Sequence, residues 1–405
     1  MTESENASDT DLMFRGNFTQ QEPIPEAAIE AAIGVMRSGR LHRYNLSPEE
    51  EGETAALERE FATWQGSRYC LAVTSGGQAM QIALRAAGVG RGDPVLTNAF
   101  TLAPVPGAIH IVGARPVLVE IDENLRLDLA DLEEMADASG ARVLLLSHMR
   151  GHLCDMDRLI EITDRRGIRI IEDCAHTMGA SWNGVRSGNF GYAACFSTQT
   201  YKHMNSGEGG MLTANDPDFM ARATILSGSY MLFDRNGAGP DSRHFEPAKY
   251  EMPNGSARMD ALRAAILRPQ IAKLDANVVR WNRRYAAVAD RLAGSNRIVL
   301  PVRPAAECMV GSSIQFRVPC LDAVGCETLL RRAGARGVEL KWFGRTEPQG
   351  FTSAHQSWAY VAAQELPRTD AVLATLFDMR LPLTFSEDDC DLIGRIIRIV
   401  VEAIE

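Results

Sequence analysis

The stretch YCLAVTSGGQAMQIALRAAG, residues 69–88, contains the succession of elements that decides the fold. Its first five residues are apolar and predict a buried strand. TSGG predicts a sharp turn, and the alanine-rich remainder predicts a helix that ends at Gly88. A strand followed directly by a helix is the repeating unit of α/β proteins.

The same alternation continues beyond this stretch. Further apolar runs that predict strands are PVLT (94–97), RPVLVEI (115–121), ARVLLLS (141–147), IRIIED (168–173) and AACFST (193–198). Segments of helix length lie between them and mostly end at glycine. Apolar strands that alternate with helices predict an α/β fold whose large domain has a mainly parallel central sheet flanked by helices.

The chain of 405 residues is long enough for a large unit and a smaller partner. Residues 227–259 are rich in Gly, Pro, Asn and Ser, and a loop of this length is often functional. The late segment EDDCDLIGRIIRIVVEAI predicts the last helix of a smaller α+β domain. We expect a disordered tail at 1–14, a large cofactor-binding domain at 15–268 and a small C-terminal domain at 269–405.

Near the N-terminus, PEAAIEAAIGVMRSGR predicts an amphipathic helix. Ile29, Ile33 and Met36 share one face of this helix, and Gly39 is placed to end it.

Composition and charge exclude several classes of protein. Hydrophobic residues make up 45% and charged residues 23%, which excludes disordered and fibrous proteins. The 42 Lys and Arg against 52 Asp and Glu give a net charge of -10, the wrong sign for a non-specific nucleic-acid binder. The polar, acidic start MTESENASDTD lacks the features of a secretory signal, and no apolar run is long enough to span a membrane. We expect a cytoplasmic protein with neither nucleic acid nor membrane as a partner.

The eight cysteines form no CxxC pair, and several lie in apolar, strand-like runs. This pattern indicates buried, reduced thiols rather than a disulfide or zinc framework.

Three segments could carry chemistry, and the first is TSGG (74–77). A small-residue turn between a strand and a helix presents free N–H groups and the positive end of the helix dipole to an anion. Such a turn also occurs where the chain simply reverses direction. The nearby GVGRGD (88–93) resembles a dinucleotide fingerprint, but it follows a helix and precedes a strand, so it predicts a helix end and a loop.

The second segment is IRIIEDCAH (168–176), in which Asp173 ends an apolar strand. Open α/β sheets bind ligands at this edge, and a buried carboxylate there needs a cation or several hydrogen bonds. Two alternatives remain open for it. Asp173 could cap a helix, or a metal could use His148, His152, Asp173 and His176. No pair among these four has the spacing of a known metal motif, and we predict no metal.

The third segment is CFSTQTYKHMNSGEGGM (195–211). Lys202 follows a strand that ends at Ser197, and a lysine in a polar loop is most often a solvated surface charge. The glycine-rich GEGG (207–210) points elsewhere, because glycine lets the backbone crowd around another group. Together the three segments fit pyridoxal phosphate, which needs an anion cradle, a carboxylate for its ring nitrogen and a lysine for the Schiff base. Ser75–Gly77 with Ser197 could supply the cradle.

These motifs are similar to those of the DegT/StrS-type sugar aminotransferases, a family of fold-type I pyridoxal-phosphate enzymes. The most specific matches are Lys-x4-Gly-Glu-Gly-Gly, the serine five residues before that lysine, and the Asp173 segment. The resemblance extends over nearly the whole chain, through SGRLHRYN, GSRYCLAVTSGGQAM, GARPVLVEID, SHMRGHLCDMD, IIEDCAHTMGA, SGNFGYAACFST, YKHMNSGEGGM, ARMDALRAAILRPQIAKLD and LPLTFSEDD.

The resemblance implies roles for individual residues. It implies that Lys202 is the catalytic Schiff-base lysine and Asp173 the catalytic partner of the ring nitrogen. His176 stands where the family usually has Gln, beside the ring oxygen. The implied phosphate contacts are Ser75, Gly76, Gly77 and Ser197.

Several positions depart from the family pattern. Leu102 stands where an aromatic usually stacks on the ring, and Gly77 stands where Thr is usual. The partner-subunit Asn that reaches the phosphate aligns with Ser256, and Asn254 lies two residues earlier. SGSY (227–230) replaces an Arg-Asn-His-Gly segment. These changes leave the Schiff-base chemistry standing and bear on the usual nucleotide-sugar substrate.

The resemblance implies an aminotransferase that moves an amino group from glutamate or glutamine to a keto sugar, ketocyclitol or related carbonyl metabolite. It also implies a homodimer with shared active sites, in which the 227–260 loop reaches across. Candidate substrate contacts are Arg40, His42, Tyr44, His203, Lys341 and Trp342.

Two other functions remain open on the same fold. One is a pyridoxal-phosphate-dependent dehydratase or lyase acting on a similar sugar. The dehydratases of the family that work without amino transfer commonly replace the lysine by His, so Lys202 favours transfer. The other is a non-catalytic regulator. The intact lysine, carboxylate and cradle argue against this function.

Overall fold

A seven-stranded sheet forms the centre of the molecule in the computed structural model, which describes residues 12–47, 50–350 and 353–404. Its strands and the elements that cover it are, in chain order, α1 (Glu26–Ser38), α2 (Glu53–Gln65), β1 (Tyr69–Val73), α3 (Gly76–Ala86), β2 (Pro94–Asn98), α4 (Pro104–Ile111), β3 (Arg115–Val119), α5 (Leu129–Ser139), β4 (Val143–Ser147), α6 (Met156–Arg166), β5 (Arg169–Asp173), β6 (Ser181–Trp182), β7 (Val185–Arg186), β8 (Ala193–Ser197), β9 (Gly210–Ala214) and α7 (Pro217–Ser227).

The remaining elements belong to the C-terminal part of the chain. They are α8 (Ala261–Ile271), α9 (Leu274–Leu292), β10 (Glu307–Cys308), β11 (Ser313–Arg317), α10 (Ala323–Gly334), β12 (Lys341–Trp342), α11 (Pro367–Leu373), β13 (Leu376–Arg380) and α12 (Glu387–Glu402). The strands β11, β13 and β12 form an antiparallel sheet in that order, and β10 extends the hairpin of β6 and β7.

The strand order of the central sheet is β1-β9-β8-β5-β4-β2-β3. β9 alone runs antiparallel to its neighbours, and the other paired strands are parallel. Strands β1, β4, β8 and β9 are buried at every position, as expected where helices cover both faces. The predicted fold class is confirmed, and each of the six predicted strands is present, whereas β9 was not predicted.

A second core lies between the C-terminal sheet and its helices. Apolar residues of α9, α10 and α12 pack there against β11 and β13. Phe14 joins this core, with its ring centroid 4.8 Å from that of Phe385. Residues 1–11 of the predicted tail lie outside the described residues. The predicted boundary between residues 268 and 269 falls within α8, beside Pro269, and the domain limits stay a prediction.

The first helix ends at Gly39 as predicted, with a left-handed φ of 69°. Its buried residues, however, are Ala28, Ala32 and Val35, while Met36 is 55% exposed. The face shared by Ile29, Ile33 and Met36 is therefore not the buried one. Small residues allow α1 to approach α8 closely, and this packing decides the face.

The cysteines agree with the expected thiols in that all eight are free. Six of them are buried, whereas Cys308 and Cys320 are exposed. Among the helices described, none combines the length and apolarity needed to cross a membrane.

A close backbone contact joins β9 to the turn before α3. A β-carbon on Gly210 would lie 2.4 Å from the carbonyl carbon of Ser75 and 2.5 Å from the amide nitrogen of Gly76. No side chain fits in that gap, so glycine at position 210 allows the strand and the turn to touch. The glycine-rich segment thus crowds around the chain's own backbone.

We expect Gly210→Ala to lower the free energy of unfolding by about 1–3 kcal/mol, because the added methyl group must push β9 away from the turn. Denaturant unfolding followed by circular dichroism measures this. The control is Gly34→Ala, a helix position with nothing within 4 Å, where alanine raises helix propensity. Equal midpoints for Gly210→Ala and the unmodified protein would contradict the contact.

Candidate active site

A cavity of about 600 Å³ opens at the carboxyl ends of β4, β5 and β8. Parallel strands end at the same edge, so the side chains at these ends share one space. Of the ten predicted cofactor residues, eight line this cavity: Ser75, Gly76, Gly77, Leu102, Asp173, His176, Ser197 and Lys202. Its volume lies in the range of small-molecule sites.

Asp173 is the last residue of β5, and the parallel register sets it beside Ser147 at the end of β4. Its Oδ1 accepts a hydrogen bond from the Ala175 N–H at 3.1 Å, and its Oδ2 accepts one from the Ser147 hydroxyl at 3.2 Å. Thr101 in turn donates to Ser147 at 2.7 Å. The segment after Asp173 forms turns and not a helix, so Asp173 does not cap a helix.

Burial raises the pKa of the Asp173 carboxyl above its ordinary value. The Ala175 N–H and the positive charge of Lys202 act against this rise without cancelling it. A desolvated carboxyl of this kind gains stability when a cationic group comes into contact with it. The site therefore suits a ligand that carries a positive charge next to Asp173.

Lys202 lies in the connection between β8 and β9, and its Nζ is 2.8 Å from His176 Nε2. Burial, followed by the nearby charge of Arg150, lowers the pKa of Lys202 to about 8, although the charge of Asp173 acts in the opposite direction. Burial, followed by the charges of Lys202 and Arg150, also holds the pKa of His176 well below its usual range. The imidazole is thus neutral beside an amine that exchanges protons near neutral pH.

The tautomer of His176 follows from its second contact. The Arg150 N–H donates to His176 Nδ1 at 3.4 Å, so Nδ1 is the acceptor and Nε2 carries the hydrogen. The Nε2–H can then donate to the lone pair of a neutral Lys202 amine. A neutral imidazole in this position supports the neutral, nucleophilic form of the lysine.

The turn before α3 forms one wall of the cavity. Ser75 caps this helix, and its Oγ accepts a hydrogen bond from the Gln78 N–H at 3.1 Å. The first-turn N–H groups of a helix have no partners within the helix and favour an anion. A β-carbon on Gly76 would lie 3.0 Å from Ser197 Cβ, whereas one on Gly77 would meet only Ser75 Oγ, at 3.7 Å. Gly76 therefore keeps the turn and Ser197 close together.

Glu172, the residue before Asp173, binds the loop that leads into β8. Glu172 is fully buried and accepts hydrogen bonds from the backbone N–H groups of Gly188, Phe190 and Gly191. His148 Nε2 lies 3.0 Å from the same carboxylate. These contacts hold the loop before β8 against β5, and Ser197 lies at the far end of β8.

The metal alternative is not supported by the geometry. Its four residues are divided among different contacts: His152 bonds to Gln315, and His176 bonds to Lys202. Within the described ranges, one group of possible ligand atoms lies close enough for a metal, that of His148, Glu172 and Cys174. The Glu172 oxygens there already hold three backbone N–H groups and the imidazole.

Two predicted cofactor residues lie outside the cavity of the single chain. Asn254 and Ser256 are exposed, and Asn254 Oδ1 accepts a hydrogen bond from the Tyr230 N–H at 2.7 Å. Leu102 lines the cavity and contributes an apolar side chain, and its contact with the cofactor stays a prediction.

The six predicted substrate residues do not form one site. Arg40 and His42 line a separate cavity of about 410 Å³, and Tyr44 is buried, with its hydroxyl 3.2 Å from Asn236. His203 is buried beside Ser312, and burial lowers its pKa to about 3. Lys341 and Trp342 line another cavity, of about 320 Å³.

Several residues that line the main cavity were not predicted: Thr101, Ser147, Arg150, Gln199, Tyr201, Glu208 and Arg380. Ser147 ends an apolar strand just as Asp173 does, so the same strand-end rule could have found it. Arg150 lies within the matching segment SHMRGHLCDMD but was given no role there, and Arg380 lies in none of the matching segments.

A family model described as the DegT/DnrJ/EryC1/StrS aminotransferase family matches residues 24–398. The chain belongs to this family. The predicted family, fold class and aminotransferase activity are confirmed. Aminotransferases of this family depend on pyridoxal phosphate, so the predicted cofactor is confirmed as well.

The relatives differ in what their names say they act on. The chain is 33% identical over 348 residues to a dTDP-3-amino-3,4,6-trideoxy-alpha-D-glucose transaminase of Streptomyces venezuelae, which covers 82% of this chain and 85% of the relative. It is 32% identical over 273 residues to an L-glutamine:scyllo-inosose aminotransferase of Streptomyces griseus, with 66% and 63% coverage. The solved structure of a 3-amino-5-hydroxybenzoic acid synthase is 25% identical, with a TM-score of 0.82 over 95% of this chain and 99% of that one.

The lowered pKa of Lys202 gives a testable pH dependence. At pH 7 an amine with a pKa of about 8 is neutral in about a tenth of the molecules, against well under a thousandth for an ordinary lysine. The neutral amine is the form that attacks a carbonyl. We expect the rate at which the cofactor-free protein captures pyridoxal phosphate to rise through a midpoint near pH 8.

The visible absorbance of the captured cofactor measures this rate from pH 6 to pH 11. The control is Lys202→Ala, which should develop no stable absorbance. A midpoint above pH 10 would mean that Lys202 is as solvated as a surface lysine.

Proposed function

We propose that the protein transfers the amino group of glutamate or glutamine to a keto sugar, ketocyclitol or related small carbonyl compound, with pyridoxal phosphate held at Lys202. The observation that carries the proposal is that Lys202, Asp173 and the helix turn Ser75–Gly77 line one cavity. An amine, a carboxylate and an anion cradle are the three groups that this cofactor requires.

The residues present fit the cofactor. The N-terminus of α3 and the Ser197 hydroxyl would hold the phosphate, and the absence of a side chain at Gly76 keeps these two groups together. Asp173 would hold the ring nitrogen, because its desolvated carboxyl is stabilised by a cation. When bound, pyridoxal phosphate supplies an electron-withdrawing ring that stabilises negative charge on the substrate carbon.

Lys202 is the proposed acid and base of the reaction. An amine whose pKa is about 8 is able to accept and release a proton at physiological pH, and its reach into the cavity sets it near bound substrate. His176 keeps the amine oriented through the contact of 2.8 Å. Because the imidazole is neutral, it does this without adding a positive charge to the site.

Asp173 has a different role, which is to remain ionised. The hydroxyl of Ser147 and the N–H of Ala175 donate to it, and Thr101 orients Ser147. Hydrogen bonds to the charged form favour that form. This arrangement holds a negative charge in place against the cost of burying it.

The relatives support amino transfer and leave the acceptor open. Their names include a nucleotide-linked amino sugar, an inosose and an aminohydroxybenzoic acid, three different rings. Lys202 favours transfer over the dehydratase alternative, since amino transfer needs the lysine to move the proton. The intact Lys202, Asp173 and cradle also argue against a regulator without catalytic activity.

The first test is the half-reaction with the amino donor. Adding glutamate or glutamine to the cofactor-loaded protein should abolish the visible absorbance and release an equal amount of the 2-oxo acid. Lys202→Ala should abolish turnover, and Asp173→Asn should lower kcat/KM by about a hundredfold or more, the usual scale for loss of a buried electrostatic contact.

The matched control is Lys273→Ala, which removes an exposed lysine and should leave the half-reaction unchanged. A lyase would neither lose its absorbance with glutamate nor release the oxo acid. An active Lys202→Ala protein would refute the assignment of the lysine.

The proposed homodimer accounts for the positions of Asn254 and Ser256. Both are exposed on the 227–260 loop, as are the large side chains of Tyr230, Met231 and Tyr250, of which Tyr250 is 82% exposed. We propose that a second copy covers this loop and that Asn254 or Ser256 reaches the phosphate in the partner's cavity. Large exposed side chains that lie together on one segment are typical of a protein-protein interface.

A mixing experiment tests the shared site. Lys202→Ala and the double variant Asn254→Ala/Ser256→Ala should each be impaired, the second mainly in its affinity for the cofactor. After subunit exchange, about a quarter of the sites should be intact, since half of the dimers are mixed and each mixed dimer has one intact site. No regain of activity, or an active protein that sediments as a monomer, would contradict the shared site.

A further inference from the structure

Arg380 lies in the main cavity without an acidic partner. It is the last residue of β13, and its guanidinium lies over the ring of Tyr201, with the central carbon 3.9 Å from the ring centroid. Its Nη1 is buried and has no hydrogen-bond partner among the described residues. A buried guanidinium N–H group without an acceptor is costly, and an anion in the cavity would relieve the cost.

Arg150 approaches the same place from the large sheet. Its side chain is 9% exposed, its Nη2 is 2.6 Å from Asp378 Oδ2, and its Nε is buried without a described partner. Its backbone has a φ of 55°, which residues other than glycine rarely adopt. Such conformations cluster at active sites, and of the non-glycine residues that adopt one among the described residues, Arg150 is the one that lines the main cavity.

The C-terminal sheet explains why these groups meet. Asp378 and Arg380 alternate along β13 and therefore share a face. Lys341 of β12 lies opposite Asp378, and Ser313 of β11 lies opposite Arg380. The sheet thus presents two cations, one carboxylate and a hydroxyl in neighbouring cross-strand positions.

One positive charge near Lys202, that of Arg380, is not matched by an acidic partner among the described residues. Asp378 is neutralised by Arg150, and Gln315 Nε2 donates to its second oxygen at 2.8 Å. Arg345 lines the cavity of about 320 Å³ and is paired with Glu327. Arg380 has no such partner among the described residues, and its charge and that of Arg150 both act on Lys202. The excess positive charge therefore lies close to the reactive amine.

The two arginines also stand where two cavities meet. Arg150, Gly350 and Arg380 line both the main cavity and the second cavity of about 320 Å³, which Lys341 also lines. A substrate that extends from Lys202 toward the second cavity must pass the guanidinium groups. An oxyanion on that part of the substrate would accept their N–H groups, and arginine suits carboxylate and phosphate because its donors form a planar fork.

We propose that Arg380, supported by Arg150, binds a carboxylate or phosphate carried by the carbonyl acceptor. The proposal rests on the proposed amino transfer and narrows its acceptor to an anionic carbonyl compound. Arg380 is the principal contact. Arg150 contributes its Nε and its charge, while Asp378 limits the positive charge in the absence of substrate.

The first experiment measures anion binding directly. Malonate and inorganic phosphate are titrated into the cofactor-loaded protein without substrates, and the shift in the pH titration of the cofactor absorbance reports binding near Lys202. We expect Arg380→Gln to weaken binding of the better anion by about tenfold or more, the scale of a charge-assisted hydrogen bond. The matched control is Arg345→Gln, an arginine of the second cavity already paired with Glu327, which should bind as the unmodified protein does.

A second variant should act in the opposite direction. Asp378→Asn removes the carboxylate that competes for Arg150, so anion binding should become several-fold tighter. Equal anion affinity in the unmodified protein and Arg380→Gln would overturn the proposal. Absence of any binding to the unmodified protein at 100 mM anion would overturn it equally.

The second experiment identifies which substrate the arginine serves. The pyridoxamine-loaded protein is mixed with D-fructose, D-fructose 6-phosphate or 5-keto-D-gluconate, and the return of visible absorbance is followed. At least one anionic ketose should react about tenfold faster than fructose, and Arg380→Gln should abolish this preference while Arg345→Gln retains it. Equal rates for the three ketoses would overturn the proposal.

The donor half-reaction separates the two sources of a carboxylate. Arg380→Gln should change the rate with glutamate less than threefold, and a loss as large as that for the anionic ketose would assign the arginine to the donor and overturn the proposal. A protein that binds anions through Arg380 yet releases no 2-oxo acid from glutamate or glutamine would instead refute the proposed amino transfer.

Discussion

The removal of water from the carboxyl edge of the central sheet governs the chemistry of this site. Burial acts on three titratable groups there in opposite directions, because it always disfavours the charged form. It raises the pKa of Asp173 and lowers those of His176 and Lys202. As a result, an amine that would be a permanent cation in water becomes a group that exchanges protons near neutral pH, beside a carboxyl that requires a cation.

The position of Lys202 depends on the single antiparallel strand. β8 and β9 pair from Ser197 to Gly210, so the connection that carries Lys202 starts and ends at the cavity wall. Backbone hydrogen bonds from Thr198 N to Gly209 O and from Lys202 N to Gln199 O close this connection. Gly210 allows β9 to touch the turn before α3, and so the lysine and the helix N-terminus are fixed in one unit. The pairing of β9 therefore places Lys202 and the N-terminus of α3 on the same cavity.

The sequence predicts those parts of the site that follow from strand ends. Ser75, Asp173 and Ser197 all follow or end apolar runs, and parallel strands bring such ends together whatever their separation in sequence. The prediction fails where close packing, and not the pattern of apolar residues, determines which face of a helix is buried. In α1 the larger side chains of Ile29 and Met36 mark one face, yet the small residues Ala28 and Ala32 are buried, because close contact with α8 requires small side chains. β9 escapes prediction because its five residues follow glycines and form no extended apolar run.

The cationic part of the cavity is unpredictable for a different reason. Arg150 belongs to the large sheet's loops and Arg380 to the C-terminal sheet, and their meeting depends on how the two sheets pack. The cofactor groups lie in motifs that the chain shares with its family, so the sequence displays their spacing. Groups that select a substrate have no such spacing, since each acceptor requires its own arrangement. A buried guanidinium without an acidic partner is therefore recognised from coordinates and not from the sequence. The sequence motifs indicate which reaction occurs, whereas the packing of the two sheets bears on which molecule undergoes it.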